Sequence, residues 1–235
     1  MVVNATRNAS IWTVHSPSRA LGNRVTPLDS LFSLLEFFIH STLSAVVSFK
    51  CLTQDLSTEV GKRKDSRNII KRHVNAGPND IIIAAGSGMT GVINKLQRII
   101  GVRVPEPIQG YVDIPPEKKP VVFITHMEHH SNHTSRIESL ADLVWIDPDH
   151  DGLCAVENLK REIVKYEGRP LIGSFTACSN VTGVHTPYYE LSRIMHEHGG
   201  WCFVDFAANA PYEDIDMHPE DELARLDAVF LSPHK

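Results

Sequence analysis

The last residues of the chain place a chemically interesting side chain directly after an apolar stretch. Residues 228–231 are apolar enough for a buried strand, and Ser232, Pro233, His234 and Lys235 follow them. A lysine just past the end of a strand would lie at the edge of a sheet, in a cleft. Such a lysine is a candidate for chemistry, although exposure to solvent is the default for this residue type.

Glycines follow another apolar stretch at residues 81–85. Gly86, Gly88 and Gly91 open a helix-like sequence, so backbone N–H groups at the positive end of a helix would point at an anion such as phosphate. The same glycines satisfy the pattern G-x-G-x-x-G, and Asp113 lies further along the chain, where a dinucleotide-binding fold has an acidic residue. A phosphate site, a nicotinamide or flavin site and a simple tight turn are therefore all open interpretations.

A group of polar residues follows the apolar residues 121–125, namely His126, Glu128, His129, His130 and His133. His129 and His133 are four residues apart and would share one face of a helix, as zinc ligands do. The stretch lacks H-E-x-x-H and zinc would need further ligands, so we predict no metal. A histidine at a strand end instead stacks on an aromatic ligand or moves a proton, unless it simply caps a helix at the surface.

Two more predicted strands end in polar residues. Asn180 follows residues 171–176, with a Thr-Gly turn behind it, and Asp205 ends the apolar stretch 201–205. A carboxylate at that position would hold a cation or a protonated ring nitrogen, or would cap the next turn.

Short apolar stretches alternate with helix-like ones along most of the chain. The predicted strands are 81–85, 121–125, 143–146, 171–176, 201–205 and 228–232, and the predicted helices are 64–74, 92–100, 155–166 and 188–199. This alternation predicts an α/β fold with a mostly parallel sheet covered by helices on both faces. Its ligand cleft would lie beyond the carboxyl ends of the strands, and residues 102–120 would be an irregular excursion.

Composition places the chain among ordinary globular proteins. Its 235 residues are 42% hydrophobic and 22% charged, and the net charge of −5 offers no basic surface for nucleic acid. The four cysteines are widely spaced, which favours core thiols in a reducing, cytoplasmic setting.

Residues 31–49 are almost apolar and close to membrane-spanning length, but Glu36 and His40 interrupt them. A charged residue inside a membrane helix is costly, so a membrane partner is disfavoured. Three interpretations of this segment stay open, namely a membrane anchor, a buried helix and a segment foreign to the fold.

Taken together, the strand-end motifs resemble those of one family. Residues 56–235 are similar to the large domain of class V aminotransferases and cysteine desulfurases, which are pyridoxal-phosphate enzymes of fold type I. The motifs that carry the resemblance are E-H-H-S-N at 128–132, S-N-x-x-G at 179–183, V-D-x-A at 204–207 and S-x-H-K at 232–235. The resemblance implies a mostly parallel sheet of the seven-stranded type, incomplete here. It also implies an amino-acid substrate and, in the complete form, a homodimer.

The resemblance gives each of these residues a role in binding pyridoxal 5'-phosphate. Lys235 would form the aldimine with the cofactor, and Asp205 would pair with the pyridinium nitrogen and keep it protonated. His129 would stack on the ring, and Asn180 would approach the ring oxygen or the substrate carboxylate. The phosphate would be held by a further set of residues, Gly88, Met89, Thr90, Ser232 and His234.

The sequence also departs from the family. Ala208 stands where relatives often place a glutamine, and Pro233 replaces the common glycine before His-Lys. The family continues beyond its lysine into a small domain, which in desulfurases carries the reactive cysteine. We therefore expect a fragment in which 1–55 is an atypical segment, 56–235 is a partial large domain and the small domain is absent. The alternatives are an NAD-dependent oxidoreductase and a non-catalytic relic with a membrane-associated N-terminal segment.

Overall fold

The computed structural model of the chain describes residues 1–3, 56–85 and 88–232, with the backbone alone for residues 56–63. The apolar stretch 31–49, Gly86, His234 and Lys235 lie outside the described residues. The chain divides into two compact units, one formed by residues 1–6 and 65–235 and the other by residues 7–64. The second unit is described only where it contains the beginning of a helix. The predicted division at residue 55 stays a prediction.

The described residues of the first unit form a seven-stranded sheet. Its strands are β1 (Val2–Val3), β2 (Ile81–Ile82), β3 (Val121–Thr125), β4 (Asp142–Ile146), β5 (Leu171–Thr176), β6 (Trp201–Asp205) and β7 (Ala228–Phe230). Their order is β2-β1-β7-β6-β5-β3-β4, and the last five strands in this order are parallel. The mostly parallel α/β sheet expected from the alternating pattern is confirmed.

The first three residues form a strand inside the sheet that the sequence did not predict. Val2 lies opposite Ile82 on one side and Val229 on the other, and β1 is antiparallel to both neighbours. The side chain of Met1 is buried, and its carbonyl accepts a hydrogen bond from the amide of Ile83 at 2.9 Å. Burial also lowers the pKa of the Met1 α-amino group to about 6.

Helices connect the strands. The α-helices are α1 (Leu56–His73), α2 (Gly88–Ile99), α3 (Glu106–Gln109), α4 (His130–Ile137), α5 (Val156–Ile163) and α6 (Tyr188–Glu197). Short 3₁₀ helices span Pro116–Lys118, Val164–Tyr166, Ala210–Tyr212 and Glu222–Ala224. Across the described ranges, no helix combines the length and the apolar character needed to cross a bilayer.

Several element boundaries differ from the sequence prediction. The strands predicted at 81–85 and 228–232 stop at Ile82 and Phe230, because β1 offers only two residues to pair and because β6 ends at Asp205. The helix predicted at 64–74 begins earlier, at Leu56. The segment 102–120 is not wholly irregular, since it contains α3 and a 3₁₀ helix, each with a proline in its first turn.

The sheet is covered on both faces, as predicted. Alternate residues of β3 show this, because Phe123 packs with Leu159 of α5 and Leu191 of α6, whereas Ile124 packs with Ile93 of α2. Every residue of β3 and β5 is buried, which is typical of parallel strands between two helical layers. Polar side chains inside these strands therefore need partners in the core.

The carboxyl ends of the parallel strands meet along one edge of the sheet. Thr176, the last residue of β5, lies opposite Asp205, and Asp205 lies opposite Phe230 of β7. β3 is parallel to β5 and ends at Thr125. This edge is where the sequence placed the candidate residues.

Candidate cofactor site

The start of α2 is shaped to accept an anion. Gly88 is its first residue and has a φ of +66°, a conformation that favours glycine. A Cβ atom placed on Gly88 would have no heavy atom within 4 Å, so the space beside this residue is open. Thr90 is exposed, Met89 packs partly against the core, and the first turn contains no acidic residue. The first N–H groups of a helix have no partner within the helix, so this turn is suited to bind a phosphate.

His129 is exposed and caps the start of α4. Its Nδ1 accepts a hydrogen bond from the amide of Ser131 at 3.1 Å and lies 2.8 Å from the Ser131 hydroxyl. These contacts fix the ring at one nitrogen. His133 packs edge-on against Trp145, with ring centroids 4.3 Å apart. The two histidines whose spacing suggested a shared metal ion are thus engaged in separate contacts.

Asn180 occupies the exposed tip of a tight loop after β5. The hydroxyl of the buried Ser179 accepts hydrogen bonds from the amides of Val181 and Thr182, both at 3.3 Å. Gly183 closes the loop with a φ of +73°. The S-N-x-x-G motif is therefore a local turn whose serine is inside and whose asparagine faces outward.

Asp205 and Ser232 are buried residues at the same edge. Asp205 is 4% exposed, and its Oδ1 accepts a hydrogen bond from the amide of Ala207 at 2.8 Å. Ser232 is also 4% exposed and follows β7. Since β6 and β7 are adjacent, the structure brings these two residues to neighbouring strand ends. The predicted partners His234 and Lys235 lie outside the described residues.

Glu128 is the residue whose importance the sequence did not reveal. Its Oε1 accepts hydrogen bonds from the Thr125 amide at 3.4 Å, the Thr125 hydroxyl at 3.0 Å and the Thr176 amide at 2.9 Å. Its Oε2 accepts a fourth from Asn132 Nδ2 at 2.8 Å. Burial of the carboxyl group, with a smaller effect from the charge of Asp205, raises the pKa of Glu128 to about 7 even though these donors oppose the shift.

The polar contacts continue from Glu128 into the core. Asn132 Oδ1 accepts a hydrogen bond from Ser174 at 2.8 Å, and Arg136 donates to the Ser174 hydroxyl at 2.9 Å. Arg136 is fully buried, and this burial lowers its pKa to about 10. The available sequence signals were the four-residue spacing of 128, 132 and 136 and the polar Ser174 within an apolar strand.

The cysteines with described side chains have the properties of core thiols. Cys178 and Cys202 are buried and Cys154 is partly buried. Burial raises the pKa of all three thiols, that of Cys154 to about 12. These three side chains are therefore protonated at neutral pH and unsuited to act as nucleophiles.

The fold and the site together define an α/β protein whose candidate residues lie at the carboxyl edge of a parallel sheet, the edge at which such folds bind ligands. A sequence profile of the aminotransferase class-V family matches residues 108–235, more than half of the chain. The chain belongs to the class V aminotransferase family. The resemblance predicted from the strand-end motifs is thereby confirmed.

Relatives and solved structures agree with this family. A cysteine desulfurase from Haloferax volcanii is 30% identical over 118 residues, which cover 48% of this chain and 26% of that protein. A NifS-like protein from Rickettsia africae has a TM-score of 0.57 at 15% identity, covering 90% of this chain and 52% of the other. A cysteine desulfurase from Thermococcus onnurineus has a TM-score of 0.57 at 19% identity, covering 88% of this chain and 47% of the other.

Two consequences follow from these comparisons. The two structures share the fold with this chain, which spans about half of their length. The comparisons give no support to the nicotinamide interpretation of the glycine loop, although Gly88 does open a helix as that pattern requires. The interpretation as a membrane-associated relic depends on residues 31–49, outside the described residues.

Proposed function

We propose that this chain is the cofactor-binding part of a pyridoxal-phosphate enzyme that acts on an amino acid. The observation that carries the proposal is Asp205, a carboxylate only 4% exposed at the end of a central parallel strand. Ligands of parallel α/β sheets bind beyond the carboxyl ends of the strands, and a carboxylate at that place is suited to accept a hydrogen bond from a protonated ring nitrogen. When bound, pyridoxal phosphate supplies an aldehyde for bonding to amines and a ring that withdraws electrons.

The described residues fit this cofactor. A phosphate group would suit the start of α2, where Gly88 has no side chain and the first N–H groups have no partner within the helix. His129 would pack against the aromatic ring, since it is exposed and already oriented through Ser131. Asp205 would accept a hydrogen bond from the ring nitrogen and keep its proton in place.

The remaining predicted residues complete the proposal. Asn180, at the exposed tip of its loop, would contact the ring oxygen or the substrate carboxylate. Ser232 and His234 would add donors to the phosphate, and Lys235 would attach the cofactor covalently. An amine flanked by a positive charge and partly buried loses its proton more easily, which makes such an attachment reversible.

The reaction catalysed by the whole protein would be transamination or a lyase reaction such as removal of sulfur from cysteine. The relative from Haloferax volcanii, which is named a cysteine desulfurase, favours the second. Ala208, which replaces a common glutamine of the family, argues against it. The neighbouring Asn209 is buried and donates to Glu213 at 3.0 Å, so its amide nitrogen is engaged within the protein.

A homodimer is the assembly that we propose for the complete protein. Val181 and Tyr212 are 85% and 83% exposed, in segments that follow β5 and β6. Large apolar side chains exposed near a ligand cleft are suited to contact a second copy. Sedimentation at several protein concentrations tests this, and a concentration-independent monomer would contradict it. A cytoplasmic location stays a prediction from the cysteine pattern.

Covalent trapping tests the proposed function. Purified full-length chain is mixed with pyridoxal phosphate, its absorption spectrum is recorded, and the mixture is reduced with borohydride. Mass spectrometry of the peptide that contains residue 235 should then show the mass of the reduced cofactor on Lys235. Lys235→Ala should lose this label, because the attaching amine is gone.

Lys165→Ala is the matched control. Lys165 is an exposed lysine that forms an ion pair with Glu162 at 2.6 Å, and its loss should leave the labelling unchanged. A folded protein that takes up cofactor equally well with and without Lys235, or that labels lysines indiscriminately, would refute the proposed function.

A further inference from the structure

Asn132 lies between two opposite charges in the core, the carboxylate of Glu128 and the guanidinium of Arg136. Its Nδ2 donates to Glu128, and its Oδ1 lies 3.4 Å from Arg136 Nε. Asn132 is 1% exposed and Arg136 is not exposed at all. The two charges are therefore linked by a single amide. Glu128 lies just before α4, whereas Arg136 lies one turn after Asn132 within it.

This arrangement is not an efficient way to stabilise a fold. Removing charges from water costs several kcal/mol each, and apolar residues of similar volume are often at least as stabilising as a buried pair. The structure nevertheless encloses the carboxyl group of Glu128 with four donors from three elements. A charged group held so specifically points to a role beyond packing.

The position of Glu128 suggests that role. It directly precedes His129, the residue that caps the start of α4, and it accepts hydrogen bonds from the last residues of β3 and β5. Thr176, which donates to Glu128, lies opposite Asp205 in the sheet. The carboxylate therefore lies between the residue proposed to stack on the cofactor and the residue proposed to bind its ring nitrogen.

We propose that Glu128 is a positioning residue of the cofactor site. Its carboxylate fixes the start of α4, and hence His129, against the ends of β3 and β5, while its charge sets the electrostatic field at Asp205. The relation to a cofactor rests on the proposed function, but the coupling between the two carboxylates does not.

Other charged and titratable groups also face Glu128. Arg136 on α4 supplies the opposite charge, Asp205 on β6 the like charge, and the thiols of Cys154 and Cys202 lie near enough to interact with it. Burial raises the pKa of both thiols far above neutrality, and Arg136 stays cationic with a pKa of about 10. A titration near neutral pH that depends on Glu128 is therefore not produced by these three groups.

The amide of Ala207 provides a readout that needs no cofactor, because it donates to the Asp205 carboxylate at 2.8 Å. Its nitrogen chemical shift, followed by NMR in the cofactor-free chain, should show an inflection near pH 7, where Glu128 ionises. The inflection should disappear in Glu128→Gln. It should persist in Glu138→Gln, a control at the C-cap of the same helix, where an exposed carboxylate pairs with Arg103.

Thr125→Val keeps the test decisive if Glu128→Gln does not fold. This change removes only the hydroxyl that donates to Glu128 at 3.0 Å and accepts from the Met127 amide at 3.2 Å. Loss of a donor to the ionised carboxylate should move the inflection to higher pH. An inflection that stays in place in Thr125→Val, survives in Glu128→Gln or is absent from the wild type overturns the inference.

Cofactor binding then tests the link to function. Glu128→Gln should bind pyridoxal phosphate about tenfold more weakly, as expected for loss of a hydrogen-bonded charge, and should alter the circular dichroism of the bound ring. Equal affinity and an unchanged signal would show that Glu128 does not position the site. If the wild type binds no cofactor while the Ala207 inflection behaves as expected, the proposed function fails and the carboxylate coupling stands.

Discussion

At the scale of single residues, Gly88 offers a sharp test of the phosphate site. Its φ of +66° is strained for any residue with a Cβ atom, although the space around it is open. Gly88→Ala should therefore cost about 1 kcal/mol of unfolding free energy. It should also weaken pyridoxal-phosphate binding about tenfold, because the new methyl group and a relaxed backbone disturb the N–H groups that face the phosphate.

Gly168→Ala is the matched control for this prediction. Gly168 has a φ of +83° and equally open surroundings, in the turn before β5. The two variants should lose similar stability in urea titrations, but only Gly88→Ala should bind the cofactor more weakly. Equal affinities for both variants would place the phosphate elsewhere.

Residues differ in how far their sequence context reveals them. Asp205 and Gly88 were selected from the sequence because Asp205 ends an apolar run and Gly88 comes three residues after one, and ligands of parallel sheets bind beyond the strand ends. Glu128 was not, because its partners Thr125, Thr176 and Asn132 come from three elements whose register a single sequence does not specify. Contacts between elements depend on how the elements pack, and a single sequence carries little information about that packing.

At the scale of elements, Gly173 sets how closely α6 approaches β5. A Cβ atom on Gly173 would lie 2.4 Å from the ring of Phe175 and 2.9 Å from Met195 of α6. Gly173→Ala should therefore lower the unfolding free energy by about 1–3 kcal/mol, the usual cost of overpacking a core. Gly110→Ala, at a site with nothing within 4 Å, should change stability by less than about 0.5 kcal/mol.

Chemical denaturation distinguishes these two variants directly. The midpoint should fall for Gly173→Ala at an unchanged slope, since a change in midpoint alone reports stability. A Gly173→Ala protein as stable as the wild type would mean that α6 shifts away from the sheet without cost.

The elements themselves were predicted unevenly. β3, β5 and β6 are continuous apolar runs of five or six residues, so their positions followed from the sequence. β1 was missed because two valines beside polar residues show no periodicity, and only their neighbours β2 and β7 make them a strand. Helix starts were also misplaced, as at α2, where the positive φ of Gly88 marks a boundary that apolar spacing does not.

At the scale of the whole molecule, the amino terminus should make the sheet sensitive to pH. The pKa of the Met1 amine is about 6 in the folded protein, against 8.0 for an unburied amine. When β1 is detached from the sheet, the amine binds a proton as the pH falls through about 8. When β1 is paired in the sheet, the amine binds a proton only near pH 6. Docking of β1 should be firm above this range and weaken as the pH falls through it.

Hydrogen exchange at the Ile83 amide measures this effect, because that amide donates to the Met1 carbonyl. After correction for intrinsic rates, its protection should fall at least about tenfold between pH 8 and pH 6. The Phe206 amide, which donates to Phe230 across β6 and β7 at 2.9 Å, is the internal control and should change far less. Parallel changes at both amides would indicate global rather than local destabilisation.

The pairing of β1 also has a consequence for the order of events during synthesis. Val2 leaves the ribosome long before Val229, one of its partners in the sheet. The gap between β2 and β7 therefore cannot close until almost all of the described chain has been translated. Until then β1 would expose one unpaired edge, and such edges are sites of mispairing and aggregation. A nascent chain arrested before residue 228 should accordingly depend on chaperones more than one arrested well after residue 230 has emerged.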